Sequence, residues 1–192
     1  LSCATALGWD RFEQMLAGAA AMDEHFAAAP LPQNGPVMLA LSHLCNRNGL
    51  DRAVRAVVPY AQRLRLFPAF LQQLEMESNG KPSTRATAAA VFGDAGTNGQ
   101  HAFFQHLHQG TDVIPVDFLA VARNTEGPAA QQTMLLANCL AEAEALMIGS
   151  HAPVPWCVFV GTRPSAMVVM DELTPAALGA LICGGLLMVV AW

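Results

Sequence analysis

Residues 113–121 read VIPVDFLAV and form the clearest strand-like run in the sequence. A loop containing glycine and proline follows, and a helix-like stretch then extends over about residues 128–147, with Gly149 as its stop signal. A second strand-like run, AMVVMD, occupies residues 166–171. A strand, a long helix and another strand in this order predict two parallel strands joined by a helical crossover.

The same alternation extends toward both ends of the chain. Asp10 and Glu13 resemble a helix capping box, and apolar residues at helical spacing continue to about Pro30. Further strands are predicted at residues 54–58, 91–92 and 157–160, and further helices at about residues 36–49, 68–80, 100–109 and from 174 onward. We therefore predict an α/β fold, a parallel sheet with helices on both faces, as one domain spanning residues 1–192.

The stretch at residues 176–192 contains no charged side chain. A membrane span needs about 17–25 predominantly apolar residues, so a membrane helix is one interpretation. Gly184 and Gly185 interrupt the run, however, and the final LLMVVAW resembles a buried parallel strand, so we favour a helix, a turn and a strand. The apolar residues at both ends also predict a chain that continues beyond them.

The composition restricts the class of protein. Hydrophobic residues make up 53% of the chain and charged residues 13%, which predicts a large packed core and excludes a disordered chain. The net charge is −5, and no basic cluster is present, so the sequence suggests neither a nucleic-acid partner nor an anionic membrane surface.

The cysteines favour a reducing compartment. All five are widely spaced and none forms a CxxC pair, which argues against a disulfide framework and against a zinc site. We expect buried free thiols in a cytoplasmic protein. The residues concerned are Cys3, Cys45, Cys139, Cys157 and Cys183.

The first segment that could carry chemistry is QQLEMESNGK at residues 72–81. Gln73 and Glu77 are four residues apart, so they share one face near the C-terminal end of the predicted helix. A serine, an asparagine and a glycine then precede Lys81. The alternative is a solvated helix end, with Glu75 and Glu77 simply exposed.

The second segment is GTNGQHAFFQHLH at residues 96–108. Gly96 and Gly99 allow the backbone to approach a ligand closely or to adopt positive φ angles. The loop leads into a helix, whose free N–H groups favour anions. We place His101 in the first turn, where the helix dipole disfavours its charged form.

Two weaker signals accompany these segments. His101, His106 and His108 do not follow the H-x-x-x-H spacing of a helical metal site, so we expect no metal. Arg163, in the loop GTRPS at residues 161–165, could bind a phosphate or a carboxylate, and a surface arginine in a turn is an equal alternative.

The blocks ESNGK and GTNGQHAFFQHLHQGT closely resemble the glucose-6-phosphate isomerase family, as it occurs in bacteria. The resemblance covers nearly the whole chain, which is similar to the C-terminal part of such an enzyme. The further segments in family order are GWDRFEQMLAGAAAMDEHF, VVPYAQRL, VIPVDFLA, LLANCLAEAEALM, GTRPS and LTPAALGALI. The resemblance implies a sugar isomerase (SIS) domain, a flavodoxin-like three-layer sandwich.

The resemblance also implies an activity and roles for three residues. The family interconverts glucose 6-phosphate and fructose 6-phosphate in glycolysis and gluconeogenesis, through an enediol and without a cofactor. Glu77 then matches the general base, and His101 matches the residue that assists ring opening. Gln73 matches a residue near the substrate phosphate. Gly99, whose backbone a ligand could approach closely, is the other expected substrate-binding residue. The family enzyme is a homodimer, and each active site receives its histidine from the partner subunit.

Several departures from the family pattern limit this expectation. The segment between Lys81 and Gly96 is shorter than usual, and the apolar C-terminal residues replace a charged family segment. The phosphate-binding loop and an arginine motif belong upstream of this sequence, and a lysine motif belongs downstream. We therefore expect little or no isomerase activity from this chain alone. The alternative is a non-catalytic sugar-phosphate-binding module of the same fold.

Overall fold

The computed structural model describes residues 2–123 and 127–191, which contain a four-stranded parallel sheet. The strands are β1 (Val54–Tyr60), β2 (Ala90–Phe92), β3 (Val116–Arg123) and β4 (Ser165–Glu172), in the spatial order β2-β1-β3-β4. β1 is central and parallel to both neighbours, with Val54 opposite Ala90 and Ala56 opposite Val116. The predicted fold class is confirmed.

Helices connect and flank the strands. In the described ranges the α-helices are α1 (Ser2–Leu7), α2 (Trp9–Ala28), α3 (Gly35–Leu44), α4 (Phe67–Leu71), α5 (Gly96–Ala102), α6 (Phe104–Gln109), α7 (Ala129–Ile148) and α8 (Pro175–Ala191). Two π-helical turns, Cys45–Gly49 and Gln72–Glu77, continue α3 and α4 respectively. The helices predicted near residues 10–30 and 128–147 correspond closely to α2 and α7.

The chain divides into two compact units. Residues 46–171 form the sheet unit, and the described residues up to 45 and from 172 onward form the helical unit. The interpretation of residues 1–192 as one domain remains a prediction.

One face of the sheet carries the main hydrophobic core. Successive side chains in a strand point to opposite faces, so alternate residues of β1 and β3 meet the same helices. The core cluster consists of Ala56, Val58 and Tyr60 in β1, Val116, Phe118 and Ala120 in β3, Ile114, and the helical residues Phe104, Leu107, Cys139 and Leu146. The last four belong to α6 and α7, which therefore cover this face.

α4 packs against β1 and β2 and contributes buried residues of its own. Gly93, just after β2, lies so close to β1 that a Cβ atom built on it would overlap the Val57 carbonyl oxygen. The same Cβ would lie 3.2 Å from Pro68 Cβ in the first turn of α4. The loop after β2 is thus wedged between β1 and α4, which places the start of α5.

Two expectations about residues 150–160 and the cysteines were wrong. The predicted strand at residues 157–160 forms only an isolated antiparallel bridge between Ser150 and Phe159, preceded by the short 3₁₀ turn Pro155–Cys157. Gly149 and Gly161, which adopt φ angles of 79° and 70°, lie on either side of this bridge. The five cysteines are free, but Cys3, Cys45 and Cys157 are exposed rather than buried.

The end of the chain differs from the predicted helix, turn and strand. α8 is one continuous helix through Gly184, and it packs against α2 and α3 within the helical unit. A run that is apolar on every side fits a buried helix as well as a buried strand, so periodicity could not distinguish them. None of the helices in the described ranges combines the length and the apolar character that a membrane crossing requires.

The contact between α2 and α8 depends on two glycines. A Cβ atom on Gly18 would overlap the Ala176 carbonyl oxygen, and one on Gly179 would overlap the Met15 carbonyl oxygen. Each glycine therefore lets the backbone of one helix touch the other. Gly184 differs, because its nearest neighbours, Met22 and Pro36, lie 3.8–3.9 Å from the added carbon, an ordinary contact distance.

These two environments predict opposite effects for the same substitution within one helix. Gly179→Ala should lower the free energy of unfolding by at least about 2 kcal/mol, because the new methyl group forces the helices apart. Gly184→Ala should leave it unchanged or raise it by up to about 1 kcal/mol, because alanine favours helix. Urea denaturation followed by circular dichroism measures both. Equal stability of the two variants would contradict the packing described.

Candidate functional site

The first candidate segment, residues 72–81, begins with the π-helical turn that continues α4. Pro68 occupies the first turn of α4, where its missing N–H costs nothing. The π geometry extends from Gln72 to Glu77, and Ser78 and Asn79 are still helical. The Gln72 amide Nε2 donates to the Val91 carbonyl at 2.9 Å, and the Val91 N–H lies 3.5 Å from the Met76 sulfur. The turn is thereby fixed against β2.

Glu75, on this turn, is buried in an ion network. The Arg55 guanidinium donates to Glu75 and to Asp117, so it joins the turn to β1 and β3. Burial alone would lower the pKa of Arg55, but the charges and hydrogen bonds of Asp117 and Glu75 outweigh it and raise the pKa. The alternative of two exposed glutamates is therefore wrong for Glu75.

Gln73 and Glu77 are exposed on the same turn. In the described part of the chain, the Glu77 side chain makes no hydrogen bond or ion pair. Single π-helical turns inside α-helices occur frequently at functional sites. An accessible carboxylate at the end of a rigidly anchored turn is suited to act on a bound molecule, and the neighbouring Gln73 amide is suited to bind one.

The segment that follows Glu77 is tied back to the sheet unit. The Ala88 N–H donates to the Asn79 carbonyl at 3.0 Å. Arg47 Nε donates to the Thr87 carbonyl at 2.9 Å, and Asn48 Nδ2 lies 3.4 Å from the Ala86 carbonyl oxygen. The short connection to β2 is thus supported by the π-helical turn Cys45–Gly49.

The glycines of the second candidate segment have a packing role. Gly96 and Gly99 both lie in α5, and neither adopts a positive φ angle, contrary to one of our expectations. A Cβ atom on Gly96 would overlap the Tyr60 ring, and one on Gly99 would lie 2.8 Å from the Phe103 ring. Their small size lets α5 pack closely on aromatic rings. The substrate-binding role of Gly99 remains a prediction.

His101 does not lie in the first turn of its helix. α5 begins at Gly96, so His101 lies in the last turn of α5. His101 therefore does not lie at the positive end of the helix dipole, contrary to our expectation. His101 is exposed, and its ring makes no hydrogen bond or ion pair with any residue that the structure describes.

Beneath α5 lies a polar cluster that the sequence did not predict. Glu142 of α7 accepts a hydrogen bond from Gln100 Nε2 at 2.7 Å, and its other oxygen lies 2.8 Å from His108 Nε2. Burial alone would raise the pKa of Glu142, but the hydrogen bonds from His108 and Gln100, with the attraction of His108, lower it. His108 also stacks on Phe159, with 4.6 Å between ring centroids.

The remaining polar candidates have structural partners. Arg163 is buried and donates to the backbone carbonyls of Asp112 at 2.8 Å and Gly110 at 2.6 Å. Arg163 therefore supports a loop. This role differs from both alternatives considered for it, an anion-binding arginine and a surface arginine in a turn. Over residues 2–123 and 127–191, no three histidine, cysteine, aspartate or glutamate side chains are grouped so that they could hold a metal ion.

Both candidate catalytic residues belong to the sheet unit. Glu77 and His101 form no ion pair with each other, and each projects from a different connection beside β2. The structure groups Gln73 with Glu77 on one turn and Gly99 with His101 on one helix. The sequence could have indicated that Arg55 and Asp117 are paired, because a charged residue inside an apolar strand needs a partner.

Comparisons with known proteins agree on one family. The sequence profile described as "Phosphoglucose isomerase" matches residues 1–185. The glucose-6-phosphate isomerase of Caulobacter vibrioides (strain NA1000 / CB15N) is 52% identical over 208 residues, which cover 95% of this chain and 39% of the relative. That of Cupriavidus metallidurans is 50% identical over 200 residues, covering 95% of this chain and 37% of the relative.

Solved structures agree with the sequence comparisons. A glucose-6-phosphate isomerase from Chlamydia trachomatis superposes with a TM-score of 0.91 at 36% identity, covering 96% of this chain and 38% of that one. The hypothetical protein TT0462 from Thermus thermophilus, at 21% identity and a TM-score of 0.72, shares the fold. This chain thus spans about two fifths of the length of the curated relatives it matches. The 208 aligned positions exceed its 192 residues, so the Caulobacter relative has residues that this chain lacks.

The buried network predicts a large loss of stability when one partner is neutralised. Glu75→Gln should lower the free energy of unfolding by about 3–5 kcal/mol, because it leaves part of the Arg55 charge uncompensated in the core. Asp171→Asn is the control, because it removes an exposed ion pair with Arg123 and should cost less than about 1 kcal/mol. Urea denaturation measures both. A loss below about 1 kcal/mol for Glu75→Gln would show that the network is dispensable.

Proposed function

The chain belongs to the phosphoglucose isomerase family, and from this membership we propose that it supplies part of the active site of an aldose–ketose isomerase. The substrates are glucose 6-phosphate and fructose 6-phosphate, and the setting is glycolysis and gluconeogenesis in the cytoplasm. The observation that carries the proposal is the position of Glu77, accessible at the end of a π-helical turn whose other residues are anchored.

Glu77 is the proposed base. Its carboxylate removes the proton from carbon 2 of the open-chain aldose, that electron pair forms the C1=C2 double bond, and the C1=O π electrons move to O1, which takes up a proton to give the enediol. The O2 proton then departs to replace the proton that O1 took up, the C2=O bond forms, and the C1=C2 electron pair takes the proton back from Glu77 at carbon 1. A single carboxylate that returns the proton it has removed needs no metal and no organic cofactor.

His101 is the proposed residue for ring opening. An imidazole can exchange a proton with the ring oxygen near neutral pH, which the cyclic substrate requires before isomerisation begins. Glu77 and His101 lie on separate connections of the chain, so each can belong to a different site. We therefore propose a homodimer in which each chain contributes its Glu77 to one site and its His101 to the other.

The amide of Gln73 is the proposed contact to the substrate phosphate. It is exposed on the turn that ends at Glu77, so one substrate molecule can reach both side chains. Gly99, a buried residue of α5, is the proposed backbone contact. The phosphate loop and the arginine and lysine motifs of the family have no replacement that we identify in this sequence.

The proposal predicts that this chain alone has little or no activity, because those motifs stabilise the phosphate and the developing enediolate. An assay that couples fructose 6-phosphate conversion to NADPH formation measures it. Turnover should rise by orders of magnitude when the same residues are part of a polypeptide of full family length. Near-normal turnover by residues 1–192 would overturn this prediction.

In a polypeptide of full family length, Glu77→Gln should reduce kcat by about 10²–10⁴-fold, because glutamine cannot accept the carbon-bound proton. Binding of sugar phosphate should survive, since the substitution keeps size and polarity. Glu144→Gln, which neutralises an exposed glutamate of α7, is the matched control and should leave kcat unchanged. If the parent binds sugar phosphate without turnover, the chain is a binding module instead.

A second substitution tests the histidine separately. His101→Ala should reduce kcat with the cyclic substrate by at least about tenfold, within the usual range for acid–base groups. His106→Ala is the control, because His106 is also exposed but lies on α6. Mixing the impaired Glu77→Gln and His101→Ala subunits should give more activity than either variant alone, since some mixed dimers contain one intact shared site. Absence of restoration after subunit exchange would argue against the shared site.

A further inference from the structure

α5, which carries His101, is too short to fix its own orientation. It has seven residues, whereas isolated helices below about 12–15 residues are marginal in water. Its contacts through Gly96 and Gly99 are with aromatic rings, and apolar contacts of this kind are not directional. A directional contact would add to this packing in setting the rotation of α5 about its own axis, and with it the position of the His101 ring.

Gln100 provides the directional contact. Among the described residues, its hydrogen bond to Glu142 at 2.7 Å is the sole side-chain hydrogen bond that α5 makes. Gln100 and His101 are adjacent, so they point about 100° apart around the helix. Gln100 is half-buried and turned toward α7, and His101 is exposed. The inward hydrogen bond thus constrains the side of α5 from which the His101 side chain projects.

Glu142 is well placed to act as a fixed support. It belongs to α7, a 20-residue helix that packs against β1 and β3. Its second carboxylate oxygen contacts His108 of α6 at 2.8 Å, and the His108 side chain is 6% exposed. One carboxylate therefore contacts both short helices, α5 and α6. The break between these helices lies at Phe103, where φ is −137° and ψ is −3°.

A small rotation of α5 would move the His101 ring far enough to affect the rate of a reaction. Side chains lie about 5–6 Å from the axis of an α-helix, so a rotation of α5 by about 10° would move the His101 ring by about 1 Å. A displacement of about 1 Å can reduce the rate of an enzymatic reaction by about 10²-fold. Loss of a single inward hydrogen bond would permit a rotation of this size.

We propose that Glu142 is a positioning residue for His101, acting through Gln100 to fix the rotation of α5 in the isomerase active site. The inference rests on the proposed role of His101. It assigns a function in the reaction to a residue of α7 that contacts neither the exposed face of α5 nor the turn that ends at Glu77.

The test is steady-state kinetics in the polypeptide of full family length. Glu142→Ala should lower kcat by about 10–100-fold, with KM changed less than about threefold, because an altered position of His101 affects ring opening more than binding. Glu142→Gln should recover kcat to within about threefold of the parent, because its amide can still accept from Gln100 and contact His108. Glu144→Ala is the control on the same helix and should behave as the parent.

A double-mutant cycle distinguishes positioning from general damage. Gln100→Ala should lower kcat by about the same factor as Glu142→Ala, and the double variant should be no slower than the slower single variant. Multiplied effects on kcat would overturn the proposal, as would an unchanged kcat in folded Glu142→Ala. Should Glu142→Ala fail to fold, Gln100→Ala decides alone, since an unchanged kcat in that variant also overturns it.

The two proposals fail in different ways. If the parent lacks turnover, or if His101→Ala turns over normally, the role of His101 is wrong and the positioning role falls with it. If the parent is active and His101→Ala is impaired while Glu142→Ala and Gln100→Ala both keep full kcat, only the positioning role is wrong.

Discussion

The buried ion network of Arg55, Glu75 and Asp117 is the constraint on which the sheet unit and its candidate site depend. A guanidinium in the core is tolerable only when carboxylates surround it, so β1, β3 and the π-helical turn must keep one mutual arrangement. The network also determines which side chains of the turn point inward and which point outward. With Glu75 pointing inward to Arg55, Gln73 and Glu77 must point outward.

A similar arrangement recurs beneath the other candidate residue. Glu142 is a half-buried carboxylate that binds Gln100 and His108, and the residue after Gln100 projects into solvent. In each case a charged side chain inside the fold fixes a short, irregular helical segment, and the outward residue is the candidate for chemistry. Charged groups below the surface cost free energy, and precise orientation of short segments is a use that can justify this cost.

The sequence predicted the sheet well because buried parallel strands are continuous apolar runs, as in VIPVDFLAV. It failed for α8, since an apolar run without polar interruptions suits a helix packed on α2 equally well. It placed the start of α5 too late, because the glycines and asparagine of GTNG resemble a loop, and only the close approach of Gly96 to Tyr60 makes a helix favourable there. The partners of Glu75 and Glu142 lie far away in sequence, so their burial could not be derived from local spacing.

Glu77 and His101 present the same physical difficulty for catalysis. An exposed carboxylate or imidazole is surrounded by water, which weakens its electrostatic interactions and competes for its proton. The sheet unit anchors the segments that carry both side chains and leaves both side chains exposed. Under the proposed function, the cover has to come from other protein surface, either the remainder of a full-length chain or a partner subunit. A site assembled at that surface would exclude water only when complete, so catalysis would depend on assembly rather than on either residue alone.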